Sequence, residues 1–203
     1  MSQSPAQLIL ASGSPRRRQL LQQLGISFEV FASDVDESKM SGETAQQYVL
    51  RLAGDKAMAA RNAWPGPVLP VLGADTTVVL DNSVLGKPGS GQQAAEMLRS
   101  LSGRDHQVMS AMAVISADGN LATALNITTV SFRQLSNSEI LNYCATGEPM
   151  DKAGAYAIQG LAAGFIRHIE GSYSGVMGLP LYETAELLAK AGVSTALGAQ
   201  RKA

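Results

Sequence analysis

Ala11-Ser12-Gly13-Ser14-Pro15-Arg16-Arg17 lies between a short apolar run, Leu8-Ile9-Leu10, and a helical pattern from Gln19 to Leu24. An apolar run, a turn of small residues and a helix make the strand–turn–helix unit that binds ligands in open α/β sheets. Pro15 suits the first helical turn, where the amide it lacks would go unpaired. Ser12, Gly13 and Ser14 let backbone N–H groups approach a ligand closely. The helix start adds partial positive charge, and Arg16 and Arg17 add two full charges. That chemistry suits phosphate oxygens, although the Walker spacing G-x-x-x-x-G-K-[ST] is absent. The same stretch also reads as an ordinary capped turn with solvated arginines.

Outward from this turn, Gly25 closes the first helix and Phe28–Phe31 reads as a second strand. Ser33-Asp34-Val35-Asp36-Glu37 is an acidic loop. Thr44 to about Ala63 has helical spacing, with Tyr48, Leu52, Lys56 and Ala59 on one side. Gly54 interrupts that helix for no reason the sequence offers. Val68–Ala74 is a strand pattern that Thr76–Leu80 continues past Asp75, and Leu85-Gly86-Lys87-Pro88 falls in a loop. Gln92–Leu101 is a helix. His106–Ser116 and Leu121–Phe132 form a hairpin about Asp118-Gly119-Asn120. Ser136 caps a helix to Ala145, with Glu139 at the capping-box position. Gly154–Ile158 and Gly164–Ile169 read as short strands, and Thr184–Ala191 as a final helix. Helices alternating with strands, then a hairpin, predict an α/β fold with a mixed sheet.

The 203 residues suit one domain or two closely packed lobes, with 1–7 and 194–203 as peripheral tails. A net charge of −1 gives no global field for nucleic acid, so an anionic ligand must be held by local Arg and Lys. The single cysteine, Cys144, cannot form an internal disulfide, and the first residues carry no secretory pattern. No apolar run approaches the ~20 residues of a membrane span. The expectation is a cytoplasmic protein with no membrane and no nucleic-acid partner.

Asp75, in Gly73-Ala74-Asp75-Thr76-Thr77, is the most suggestive residue. A carboxylate inside an apolar run must face a cation, accept hydrogen bonds or lie at a break in the strand. Lys56 and Lys87, each taken alone, read most simply as solvated lysines, and Asp151-Lys152 as a weak turn ion pair. Asp34, Asp36 and Glu37 are either a solvated loop or ligands for a hard cation. His106 and His168 have no neighbour at metal-ligand spacing, and no G-x-S-x-G elbow surrounds Ser12 or Ser14.

The order of these pieces carries more than any one of them. Leu10 through Arg17 is followed by Asp36-Glu37, Arg51-Leu52-Ala53 with Lys56-Ala57, and Leu72 through Thr76. Then come Lys87-Pro88, Asp151 through Tyr156, Ile158-Gln159-Gly160 and Gly178-Leu179-Pro180. This succession, covering about Leu8 to Leu188, resembles the Maf (septum formation inhibitor) family of nucleoside triphosphate pyrophosphatases. The resemblance implies a two-lobed α/β fold shared with inosine-triphosphate pyrophosphatases, with a central mixed twisted sheet and an interlobe cleft. A homodimer and a divalent cation, Mg, Mn or Co, are implied with it. Asp75 would be the general base. Ser14, Arg16, Arg17, Lys56 and Lys87 would hold the triphosphate, and Glu37 would help carry the metal.

Arg16, Thr76 and Gln159 match the subgroup that acts on dTTP and UTP. The Gln159 amide can accept from N3–H of uracil or thymine and donate to a carbonyl, a pairing cytosine cannot reproduce. Two alternatives stay open at this level: a pyrophosphatase for modified nucleotides such as 7-methyl-GTP or 5-methyl-UTP, and a non-catalytic nucleotide-binding regulator of cell division.

Overall fold

The computed structural model describes residues 5–32 and 34–198. The outer parts of both expected tails, 1–4 and 199–203, and Ser33 of the acidic loop lie outside the described residues.

The opening unit forms as the sequence predicts. Strand β1 (Leu8–Ala11) leads through the Ser12–Ser14 turn into α1 (Pro15–Gln23), with Ser14 as its N-cap and Pro15 in its first turn. Parallel strand β2 (Phe28–Val30) pairs with β1. Helix α2 (Ala45–Ala63) starts at a complete capping box between Thr44 and Gln47. Then follow β3 (Val71–Leu80), β4 (Ser83–Leu85) and α3 (Gly91–Leu101). The hairpin β5 (Asp105–Ile115) and β6 (Leu121–Phe132) turns at Gly119, whose φ is +91°. Helix α4 (Asn137–Ala145) carries the Ser136–Glu139 capping box. Strand β7 (Ile166–Glu170), α5 (Tyr173–Met177) and α6 (Leu181–Lys190) end the described chain.

The sheet order is β2-β1-β3-β5-β6-β7, with β4 also on β3. The pairs β2–β1 and β1–β3 are parallel, and the others are antiparallel, so the sheet is mixed. On one edge β3 pairs with β5 over most of its length. On its other edge β1 covers Val71–Gly73 and β4 covers Val78–Leu80. Between them, residues 74–77 have no strand partner on that edge among the described residues. This gap in the sheet is where the cleft opens.

Alternation along the strands divides the core. Met109, Ala111, Ala113 and Ile115 of β5 pack with Val49, Ala53, Ala57 and Ala60 of α2. On the opposite face Leu72, Ala74, Met112 and Val114 pack with Leu20 and Leu21 of α1 and Leu187 and Leu188 of α6. Past the gap, Val78 and Leu80 join α3, α4, Phe132, Tyr156 and Phe165 in the core of the second lobe. Gly73 sets the spacing of α2. A Cβ there would lie 2.2 Å from the Ala53 carbonyl oxygen, so only glycine lets the helix press this closely on β3.

The structure corrects several boundaries. Strand β3 begins at Val71, not Val68, and runs unbroken through Asp75. Ser83–Leu85 forms β4, which takes Leu85 out of the expected loop. Gly154–Ile158 is not a strand. Ala153–Ala155 makes a 3-10 turn in which Gly154 and Ala155 have φ of +68° and +59°, with Gly154 pressed on Val78. The expected strand from Gly164 starts at Ile166, after another 3-10 turn over Leu161–Phe165. The final helix starts at Leu181, one turn before Thr184.

Candidate active site

Asp75 and Thr76 are neighbours on β3 and so point to opposite faces of the sheet at its gap. Asp75 faces α2. Its Oδ1 accepts from Lys56 Nζ at 2.7 Å, and Oδ2 has no protein partner among the described residues. The close packing at Gly73 brings Lys56 this near, since the residue it approaches, Ala53, lies one turn before Lys56 on α2. Lys56 Nζ also meets Glu37 Oε1 at 2.6 Å. One ammonium thus joins a carboxylate from the sheet to one from the acidic loop. Burial pushes the Glu37 carboxyl up. The hydrogen bond and charge of Lys56, with the charges of Lys87 and Arg17, outweigh it and hold the group below its ordinary value.

The loop bearing Glu37 is fastened to α2. Tyr48 donates to the Glu37 carbonyl at 3.0 Å, and Arg51 Nη2 donates to the Ser38 carbonyl at 3.0 Å. Arg51 is itself held by Glu43 at 2.7 Å. Asp36 turns away, accepting from Ser38 N–H at 2.8 Å, and neither it nor Asp34 reaches the cavity. Of the acidic trio, Glu37 alone enters the cleft.

On the other face, Arg17 ties the first turn to the rest of the fold. Its Nε donates to the Gly178 carbonyl at 2.9 Å, Nη1 to Ser12 Oγ at 3.2 Å and Nη2 to Thr76 Oγ1 at 3.4 Å. A guanidinium has five donors, so this strut keeps capacity for an anion. Burial lowers the Arg17 pKa. Asp75 opposes this, the adjacent Arg16 adds to it and Glu37 opposes it again. Ser14 Oγ accepts from Arg17 N–H at 3.5 Å as the N-cap. No acidic residue occupies the first turn of α1. Arginines crowding a positive helix end are unfavourable in isolation, and an anion between them would relieve the cost.

The second lobe supplies the facing wall. Gly86 accepts from Gly154 N–H at 3.1 Å, which fixes the loop bearing Lys87 to the 153–155 turn. Lys152, Tyr156, Ile158 and Gln159 continue the wall. The enclosed space is about 680 Å³. Ser14, Arg16, Arg17, Glu37, Lys56, Asp75, Thr76, Lys87 and Gln159 all line it. These residues are far apart in sequence, and the sheet gap is what brings them together.

Comparison with known proteins agrees with the motif order. A family profile described as "Maf-like protein" matches residues 7–191. The chain belongs to the Maf family. A Maf relative from Methylobacillus flagellatus, described as "dTTP/UTP pyrophosphatase", is 54% identical over 187 residues, 92% of this chain and 94% of the relative. Another of the same description, from Ralstonia nicotianae, is 50% identical and covers 92% and 95% of the two chains. A solved HAM1 protein from Coxiella burnetii superposes on 92% of this chain and 100% of its own, with a TM-score of 0.53 at 15% identity. That likeness bears on the fold alone.

The structure gives residues of the Maf site side-chain roles that the sequence did not assign. Ser12 accepts from Ser14 N–H at 3.3 Å as well as from Arg17. Ser110 on β5 shares a 2.8 Å bond with Thr76 and donates to Gly175 at 2.7 Å. Its signal was a lone hydroxyl within the apolar run of β5, much as the signal of Asp75 was a lone carboxylate. Tyr48 and Arg51 hold the Glu37 and Ser38 carbonyls, which no local pattern reveals. His106 lies outside the cavity lining, and Cys144 packs beside the second-lobe core.

Proposed function

We propose that this chain hydrolyses dTTP and UTP to the monophosphate and pyrophosphate. The observation that carries the reading is the Glu37–Lys56–Asp75 cluster facing Ser14, Arg16, Arg17 and Lys87 across one cavity. Carboxylate and cationic cradle are then available to the same triphosphate. The relatives' description, at 50–54% identity over nearly the whole chain, supports the same substrates.

In this mechanism the triphosphate lies along the cationic wall, with Ser14 and the α1 start at its oxygens. Water attacks the α-phosphorus, Asp75 takes its proton, and pyrophosphate leaves. Arg16, Arg17 and Lys87 offset the negative charge that grows on the leaving group. Fixed cations in a partly dry cleft contribute most where charge develops. Lys56 holds Asp75 and Glu37 in place. Those two carboxylates also fit a hard divalent cation, which takes one or two carboxylates together with phosphate oxygens. Bound there, Mg²⁺, Mn²⁺ or Co²⁺ would supply further neutralisation of the phosphates.

Gln159 is exposed on the second-lobe wall, free to pair with the base. In this reading it accepts from N3–H and rejects cytosine, which has no such proton. A homodimer in the cytoplasm completes the proposal. No described helix is long and apolar enough to cross a membrane.

The test is steady-state turnover on the common and methylated triphosphates with Mg²⁺, Mn²⁺ and Co²⁺. Release of pyrophosphate from dTTP and UTP is expected. Orthophosphate alone would mean cleavage at the γ position, and a preference for 7-methyl-GTP would reassign the base pocket. Sedimentation of the same protein checks the dimer.

A further inference from the structure

Gln159 lies in a four-residue turn that closes on itself, the Gly160 N–H donating to the Ala157 carbonyl at 3.0 Å. Both ends of that turn are held by one pair of side chains outside the cleft. At one end Ala157 N–H donates to the Tyr143 hydroxyl at 3.2 Å. At the other, Leu161 N–H donates to Glu148 Oε2 at 3.1 Å. Tyr143 donates in turn to Glu148 Oε1 at 2.8 Å, so hydroxyl and carboxylate form one clamp. The carboxylate lies against Gly160 so closely that a Cβ there would stand 2.3 Å from Oε1.

The clamp has firm footings. Tyr143 is buried on α4, with its ring edge-on to Phe165 at 5.2 Å. The Glu148 carbonyl accepts from Lys152 Nζ at 2.9 Å, which ties the cleft-lining lysine to the same support. A turn residue that must pair with a base edge needs its backbone fixed, because side-chain amide geometry follows it. Nothing else among the described residues bonds the Ala157 and Leu161 amides.

We propose that Tyr143 and Glu148 are positioning residues for base selection, setting where Gln159 meets the pyrimidine. The proposal rests on the reading of Gln159 given above. Neither residue lines the cavity, so neither touches the nucleotide itself.

The experiment compares kcat/KM for UTP and CTP in the wild type, Tyr143→Phe and Glu148→Gln. Tyr143→Phe removes the hydroxyl that holds both Ala157 and Glu148. The UTP-to-CTP ratio is expected to fall about tenfold, the weight of one lost bond of this kind. The fall should come through a higher KM for UTP with kcat nearly kept, a split that general loosening of the fold would not produce. Glu148→Gln keeps size and one acceptor oxygen, so a smaller fall in the same direction is expected. Should Tyr143→Phe not fold, the Glu148→Gln ratio decides. A wild type that prefers UTP, with a ratio unchanged in every variant that folds, overturns the clamp alone. A wild type with no preference for UTP over CTP defeats the reading of Gln159 and the clamp with it.

Discussion

Asp75 on β3 and His106 on β5 are both titratable groups buried inside long strands, 8% and 2% exposed. Their surroundings differ completely. Asp75 stands at the sheet gap, where β1 has ended and β4 has not begun, with Lys56 on one oxygen and the cavity beside it. His106 is sealed in the second lobe. Its Nε2 shares a 2.9 Å bond with the Tyr156 hydroxyl, and Phe132 and Tyr156 stand edge-on at 5.0 and 5.4 Å. Its Nδ1 has no partner among the described residues. The first group is supported by a cation on one oxygen and an open cleft beside it. The second keeps its place by remaining neutral. A polar residue in an apolar strand marks a site only where the neighbouring strands leave it a way out.

The largest test of this contrast is Asp75→Asn. It keeps shape and removes the proton acceptor, so turnover on dTTP is expected to fall by about a thousandfold. Pyrophosphate release measures it. Lys56 retains Glu37, so the fold should persist, as circular dichroism would report. Near-normal turnover would make Asp75 as purely structural as His106.

The next largest effect belongs to His106 and appears in stability. Burial lowers its pKa from 6.5 to about 4, and the charge of Asp105 opposes this without reversing it. The unfolded chain therefore binds this proton first as pH falls. The stabilisation is complete above pH 6.5 and is lost progressively towards pH 4, below which both states are protonated. The loss amounts to roughly 3 kcal/mol from the pKa difference. Urea unfolding at pH 7, 5.5 and 4.5 should show a shallower pH dependence in His106→Gln than in the wild type. Carboxylates titrate in both proteins, so the difference isolates His106, and equal slopes would contradict its sealed setting.

Much of this arrangement could be read from the chain alone. Ser14, Pro15 and Gly25 bound α1, Ser136 with Glu139 announces a capping box, and Asp118-Gly119 sets the hairpin, because each acts over a few residues. The 154–158 segment misleads because its small and apolar residues suit a strand. Only the contact of Gly154 with Val78 shows why the backbone turns there. The five-residue α5 is too short for helical periodicity to declare itself. Around the cleft, residue types pointed to phosphate chemistry, but the sheet gap depends on where β4 pairs, and no local pattern encodes that. Arg17 shows the limit well. Its charge was legible, whereas its bonds to Ser12, Thr76 and Gly178 join three distant parts of the chain.

A smaller effect is expected at the rim of the cleft. Gln159→Ala leaves Asp75 and the cationic wall intact, so turnover on UTP should survive while preference over CTP drops by about tenfold or more. Competition between UTP and CTP in one reaction measures it. A preference that survives the substitution would move base selection to another residue and leave Gln159 as exposed surface.

The smallest effect comes from Gly54, two residues before Lys56 on α2. A Cβ there meets nothing within 4 Å, and nothing in the structure explains a glycine at this point. Alanine is better than glycine in a helix interior by about 1 kcal/mol, chiefly because the unfolded chain loses less freedom. Gly54→Ala should therefore raise the melting temperature by about 3 °C in a chain of this length. Turnover then becomes the informative reading. If α2 serves only as a rigid mount that holds Lys56 against Asp75, the stiffer helix leaves kcat unchanged. A stability gain accompanied by slower turnover would mean that α2 bends during the reaction, and that the Lys56–Asp75 pair must open to release one carboxylate oxygen.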